Sequence, residues 1–220
     1  MPQRSQVVLE PRKSPVQARS AASVEAILDA TIQVLLSAGK ERLTTTRVAA
    51  RAGVSVGTLY QYFPNKRALL QATLKRHLNG VAGTVELVCR ESRGATHRQM
   101  VTALVTAFLK AKMSNPRLSV ALYSLSSDVD GKTIAREMGT RLNRAIVRML
   151  ASSSGPLAAD PELAASMLQG AMVGVIRGLL ESGNPDNQLE SVRRELITLG
   201  CAYLDAAAAD QGLRVVNSSD

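Results

Sequence analysis

The 220-residue chain is 45% hydrophobic, 20% charged and 3% aromatic, enough apolar material for one large domain or two small ones folded around their own cores. Its two cysteines, Cys89 and Cys201, each lie in apolar, helix-like sequence, which is poor evidence for a disulfide, favours buried thiols and agrees with a reducing cytoplasm. The net charge of +9 is unevenly spread: residues 1–80 hold twelve Lys/Arg against four Asp/Glu, so one end of the chain is suited to a polyanion and the rest to another task.

Residues 1–20 lack apolar periodicity, contain Pro2, Pro11 and Pro15, and carry Arg4, Arg12, Lys13 and Arg19. They are expected to form a flexible basic arm, either adding phosphate or minor-groove contacts or remaining an inert tail. The apolar run Val7 to Leu9 is far too short for a signal-peptide core, so export is not expected. Val24, Ile27, Leu28, Thr31, Val34, Leu35 and Ala38 then trace the stripe of an amphipathic helix, with Gly39 where a left-handed C-terminal cap is wanted.

Residues 45–63, TTRVAARAGVSVGTLYQYF, predict two short helices around a tight turn. Val48, Ala49 and Ala52 share one side of the first, Gly53 permits positive φ, and Ser55 can cap a second helix that turns Leu59 and Phe63 inward. Pro64 ends that helix and Asn65 can cap the next. Three of the six aromatic residues fall here, Tyr60, Tyr62 and Phe63. With Leu59 and Phe63 buried, Val56, Gly57, Thr58, Gln61 and Tyr62 are left outward, with Tyr60 at the side, a face that fits a DNA major groove. Tyrosine hydroxyls can donate to phosphate, and Thr45, Thr46 and Lys66 sit at helix starts. The bland alternative is that both tyrosines merely cover the small domain's core.

Downstream, helix starts are expected at Thr96-His97-Arg98-Gln99 behind Gly94, at Asn115-Pro116, after Asp128-Val129-Asp130-Gly131, at Asp160-Pro161 and at Asn184-Pro185. After the Asp128-Val129-Asp130-Gly131 turn, Ile134, Met138, Leu142, Ile146 and Met149 run down one face. No stretch reads as a strand. The expected fold is all-α with about nine helices.

LTTTRVAARAGVSVGTLYQYFPNKRALL resembles the DNA-binding signature of the TetR (tetracycline-repressor-like) transcriptional regulators, and the resemblance runs from residue 24 to about 76. It implies a helix-turn-helix domain over 21–70, a helical effector-binding and dimerisation domain over 71–220, and a homodimer on double-stranded, palindromic operator DNA. Carried over position by position, Thr45, Thr46, Arg47, Ser55, Val56, Gly57, Thr58, Tyr60, Gln61, Tyr62 and Lys66 are the implied DNA contacts. Two positions depart from the pattern: Tyr62 stands where the family often has histidine, and Ala68 replaces a common acidic residue.

In the rear, Ser166, Gly170, Gly174 and Gly178 lie four apart, a ridge suited to close helix packing within the subunit or across a dimer. A membrane span is not expected there, because Arg177 interrupts the apolar run. The resemblance puts the subunit interface on the last two long helices, where Glu190 and Arg194 are spaced to pair. It also implies a mainly apolar effector cavity, to which Phe108, Met113, Tyr123, Met138, Leu142, Met172 and Ile176 are assigned, although each also reads as plain core. Arg177 is either an acidic-ligand contact or the partner of Glu181, the pair being favoured. No catalysis, metal or cofactor is expected: His77 and His97 are isolated, and no phosphate loop or nucleophile motif occurs. Three readings follow, a regulator released from its operator by a ligand, a DNA-binding regulator without an effector, and a basic helical protein on an anionic membrane.

Overall fold

The computed structural model describes residues 15–125, 130–155, 157, 159–183 and 185–216, with side chains between residues 20 and 206. Among the described residues there are nine helices and no strand: α1 (Pro15–Arg42), α2 (Thr45–Ala52), α3 (Val56–Tyr62), α4 (Lys66–Glu91), α5 (His97–Met113), α6 (Pro116–Leu125), α7 (Gly131–Leu150), α8 (Pro161–Glu181) and α9 (Pro185–Val216). The chain divides into two units, residues 1–70 and 71–220.

In the first unit, α1 begins at Pro15, so the last six residues of the expected arm are helical rather than irregular. Arg4, Arg12 and Lys13 lie outside the described residues, as does the side chain of Arg19. The α1 stripe is buried at Ile27, Leu28, Thr31, Val34 and Leu35, with Thr31 Oγ1 donating to the Ile27 carbonyl at 2.7 Å. Gly39 has the positive φ expected of it, 77°, but ψ is 170°; the chain kinks there and resumes helical turns to Arg42 instead of capping. Ala30, Leu43, Val48, Ala49, Leu59, Phe63, Leu69 and Leu70 are buried with it.

In the second unit α5 is central, touching α6, α7, α8 and α9. Met100, Val101, Leu104, Val105, Phe108 and Leu109 are each at most 2% exposed, and burying a side chain of this kind is worth about 1.5–3 kcal/mol. The start signals work as the sequence predicts. Thr96 and Gln99 form a reciprocal capping box, Asn115 Oδ1 accepts from Leu118 N at 2.9 Å, and the Asp160 carboxylate accepts from Glu162 N and Leu163 N at 3.2 and 3.3 Å. α7 follows Asp130, whereas Asp128, Val129 and Asn184 lie outside the described residues.

Three expectations about α8 and α9 need correction. The Gly170, Gly174 and Gly178 ridge is exposed, and a Cβ at any of the three would meet nothing within 4 Å, so it makes no close packing within the subunit. The tight glycine is Gly200 on α9, where a Cβ would stand 2.8 Å from Val101 Cγ1 and 3.0 Å from Leu168 Cδ2. Glu190 pairs with Arg193, Nη2 to Oε1 at 2.5 Å, while Arg194 turns to Glu195 at 3.3 Å. Arg177 also fails to shorten α8 below spanning length: Pro161–Glu181, like Ser20–Arg42, is long and apolar enough to cross a membrane by length and composition alone. Its inner face, from Ala164 through Leu168, Met172 and Ile176 to Leu180, is nevertheless buried in the second unit's core.

Candidate nucleic-acid interface and interior cavity

The turn between α2 and α3 is built from local hydrogen bonds. Thr44 Oγ1 caps α2 by accepting from Arg47 N at 3.2 Å, and Gly53 closes it at φ 70°, ψ 28°, a left-handed conformation that side-chain-bearing residues adopt at a cost. Val54 N then returns to the Ala49 carbonyl at 3.0 Å. Ser55 Oγ accepts from Thr58 N at 3.0 Å to open α3, and Phe63 N closes it on the Leu59 carbonyl at 2.9 Å. Leu59 is fully buried and Phe63 8% exposed, which fixes the rotation of α3.

That rotation leaves Ser55, Val56, Gly57, Tyr60 and Gln61 exposed, with Thr58 and Tyr62 half-buried. Thr46 and Arg47 are exposed at the start of α2, and Thr45 is half-buried with its Oγ1 3.1 Å from Tyr60 Oη. This bond holds the Tyr60 ring against the neighbouring helix, so the α2 start and α3 present one polar surface. Two cations reach back to backbone. Arg47 Nη1 donates to the Arg42 carbonyl at 3.0 Å and Lys66 Nζ to the Lys40 carbonyl at 3.2 Å, so Lys66 also ties down the chain end of α1, a role its sequence position does not announce. A lysine ammonium has three donors, and this bond uses one of them. Asn65 Oδ1 accepts from Ala68 N at 2.8 Å and starts α4, as expected.

In the second unit a cavity of about 170 Å³ is walled by Leu78 and Val81 of α4, Phe108 and Lys112 of α5, Tyr123 of α6, Met138 and Leu142 of α7, and Gln169 and Val173 of α8. Of the residues assigned to a cavity from sequence, Phe108, Tyr123, Met138 and Leu142 line it. Met172 and Ile176 are buried in the core and Met113 packs against it, none of the three on the cavity wall. Arg177 is 63% exposed and pairs with Glu181 at 2.9 Å, so it is no cavity residue. Two polar lining groups escaped the sequence reading. Lys112, 5% exposed, donates from Nζ to Tyr123 Oη at 3.2 Å, with Nζ 5.0 Å from the ring centre. Gln169 Oε1 is sealed from solvent and makes no hydrogen bond among the described residues. Beside them, burial and then the charge of Lys112 push His77 down to about 4, so its imidazole is neutral at pH 7; Ser119 Oγ lies 3.4 Å from its Nε2.

A second groove, of about 320 Å³, runs between α4 and α7 and gathers Arg90, Arg93, Arg141, Arg144 and Arg148 beside Glu86 and Cys89. Arg141 grips both oxygens of Glu86, at 2.6 and 2.7 Å, and its hydrogen bond holds that carboxyl below the usual range. Burial pushes the Cys89 thiol up to about 12, which keeps it protonated and unreactive. The near-neutral charge of the rear sequence hides this cluster.

Residues 27–73 match the family profile described as bacterial regulatory proteins, tetR family, and residues 96–204 that described as tetracyclin repressor-like, C-terminal domain. The transcriptional repressor KstR of Mycolicibacterium smegmatis is 35% identical over 96 residues, 44% of this chain and 46% of that protein, and the nucleoid occlusion factor SlmA of Edwardsiella ictaluri is 30% identical over 97 residues, 43% and 48%. The chain thus spans about half the length of the curated relatives it matches. Among solved structures, a TetR-family regulator from Mesorhizobium loti superposes with a TM-score of 0.72 at 19% identity, covering 86% of this chain and 98% of that one. SmeT, the repressor of a Stenotrophomonas maltophilia multidrug efflux pump, gives 0.66 at 23% identity, covering 84% and 91%. At such identities these two speak for the fold. With one profile on the α2–α3 unit and the other across most of the rear helices, the chain belongs to the TetR family of bacterial regulatory proteins.

Proposed function

We propose that the protein is a cytoplasmic transcriptional repressor that binds palindromic double-stranded operator DNA as a homodimer and leaves it when a small, mainly apolar effector enters the cavity of the second unit. The observation that carries the reading is α3: a helix pinned by Leu59 and Phe63 that turns Val56, Gly57, Tyr60 and Gln61 to solvent, in a unit that holds most of the chain's excess positive charge. Thr58 and Gln61 are the base readers, because their side chains can bond base edges. Thr45, Thr46, Arg47, Ser55, Tyr60, Tyr62 and Lys66 position the helix on phosphates, and Val56 and Gly57 allow close approach. Repression, rather than activation, follows the name of KstR.

A single short helix reads too few base pairs for useful specificity, and two-fold symmetry doubles the footprint. The surface that supports dimerisation is the outer face of α8 with α9, where Leu163, Met167 and Leu199 are each more than half exposed and Gly170, Gly174 and Gly178 leave room for another helix backbone. Release works through α4, which is continuous from Lys66 to the cavity residues Leu78 and Val81. A ligand that prefers a protomer spacing unsuited to successive major grooves weakens DNA binding by its differential affinity, typically 5- to 150-fold. Selection of binding sites from a pool of random duplexes tests the reading. The expected product is an inverted repeat with half-sites about 34–36 Å apart or a multiple of it; a pool that shows no enrichment contradicts it.

A further inference from the structure

The cavity is not uniformly greasy. Its walls are apolar except where Lys112, Tyr123 and Gln169 reach it, and two of those three, Lys112 and Gln169, are in an unusual state. Lys112 is a buried cation whose one hydrogen-bond partner is a phenol, and no carboxylate meets it among the described residues. The neighbouring groups offer no countercharge, since His77 is neutral and Ser119 Oγ donates to the Lys112 carbonyl at 3.1 Å. A cation removed from water without an anionic partner is costly, and so is a buried amide oxygen without a donor, as at Gln169 Oε1. Of these two unmet groups on the wall of one apolar cavity, the amide oxygen calls for a donor and the cation for an anion, and a ligand with an anionic head and an apolar body satisfies the cation.

We propose that the cavity binds a compact carboxylic acid, its carboxylate meeting Lys112 Nζ and Tyr123 Oη and its aliphatic body lying against Val81, Phe108, Met138 and Leu142. The inference rests on the effector reading above and names the class of ligand. Size follows from volume: about 170 Å³ slightly exceeds the ~150 Å³ apolar cavity that accepts benzene, which sets the enclosed part at roughly six to eight non-hydrogen atoms. Gly139, Gln169 and Val173 are shared with an open groove of about 500 Å³ between α7 and α8, which provides the entry path and room for a longer tail. Gly139 matters to that opening. A Cβ there would stand 3.1 Å from Gln169 Nε2 and press on the amide.

The test uses the whole 220-residue chain and three probes of equal length: hexanoate, hexanamide and hexylamine. Calorimetric titration at pH 7.5 is expected to give hexanoate at least tenfold tighter binding than hexanamide, and no binding of hexylamine. Lys112→Met should abolish the preference for the acid over the amide while melting no lower than the parent, because it removes a buried charge without a carboxylate partner; Lys112→Arg should retain the preference. Failure of hexanoate to bind, equal binding of acid and amide, or an acid preference that survives in Lys112→Met overturns the inference. So does an acid preference that disappears in Arg144→Ala, which would move the anion to the arginine groove. Adding each probe to a protein–duplex complex separates this inference from the release mechanism. Acid-selective binding that leaves DNA affinity unchanged supports the anion site and removes the release reading, whereas release by amide and acid alike keeps the release reading and removes the anion site.

Discussion

The two units handle polar groups in opposite ways. In residues 1–70 the polar chemistry of α2 and α3 is at the surface, and the helix starts there are set by short-range bonds: Thr44 to Arg47, Ser55 to Thr58, Asn65 to Ala68, each three residues apart. In residues 71–220 the distinctive polar groups are inside, Lys112, His77 and Gln169, and they are brought together from α5, α4 and α8. The contrast teaches that a surface site can be altered without touching the fold that supports it, while an interior site is coupled to stability. Changes to the interior of the second unit should therefore register in melting experiments, and changes on the exposed face of α3 should register in DNA binding alone.

The largest expected effect is a pH dependence of stability. His77 sits at about 4 in the folded chain against an ordinary 6.5, burial being the main cause and Lys112 the second. The unfolded chain takes up a proton between those values that the folded chain refuses. Stability is therefore complete above pH 6.5 and falls as the pH drops toward 4, by up to about 3 kcal/mol. Denaturant titrations across that range should show the loss, and His77→Gln should flatten it; a parent curve already flat would break the coupling of interior polar groups to stability.

Next in size is Gly200→Val. Its side chain would enter the space held by Val101 and Leu168, and overpacking of this kind costs about 1–3 kcal/mol, read as a lower midpoint in urea with an unchanged slope. Gly174→Leu is the matched control on an open face. It should add up to about 1 kcal/mol of helix preference to the protomer while raising the concentration at which protomers associate, as seen by sedimentation. Unchanged association would remove the α8 ridge from the proposed dimer contact. The smallest effect belongs to Arg177→Ala, whose exposed pairing with Glu181 should contribute no more than about 0.5 kcal/mol in thermal melts.

The same contrast explains what could be read in the sequence. A cap such as Thr96 with Gln99 or Asp160 ahead of Pro161 is encoded within four residues, so helix starts and the α2–Gly53–α3 turn are predictable without knowing what they pack against. Periodicity likewise identifies the inner faces of α1 and α7. It does not identify the neighbour. Four-residue spacing made Gly170, Gly174 and Gly178 conspicuous, yet the close approach is at the isolated Gly200, because contact with α5 is decided by tertiary packing. Lys112 reads as one of several lysines near the end of a helix, and only the placement of α6, bringing Tyr123 and Ser119 against it, turns it inward. Met172 and Ile176 differ from Met138 and Leu142 in no sequence property that says which pair faces a cavity.

The central claim is that α3 reads DNA bases, and a specificity profile of Gln61→Ala tests it most directly. Parent and variant should be titrated against the selected duplex and all of its single base-pair substitutions at one fixed salt concentration. The expected result is an unchanged melting temperature and a loss of discrimination of about 1–3 kcal/mol confined to one position, or a symmetric pair of positions, in each site. A variant that ranks every substituted duplex as the parent does would contradict it.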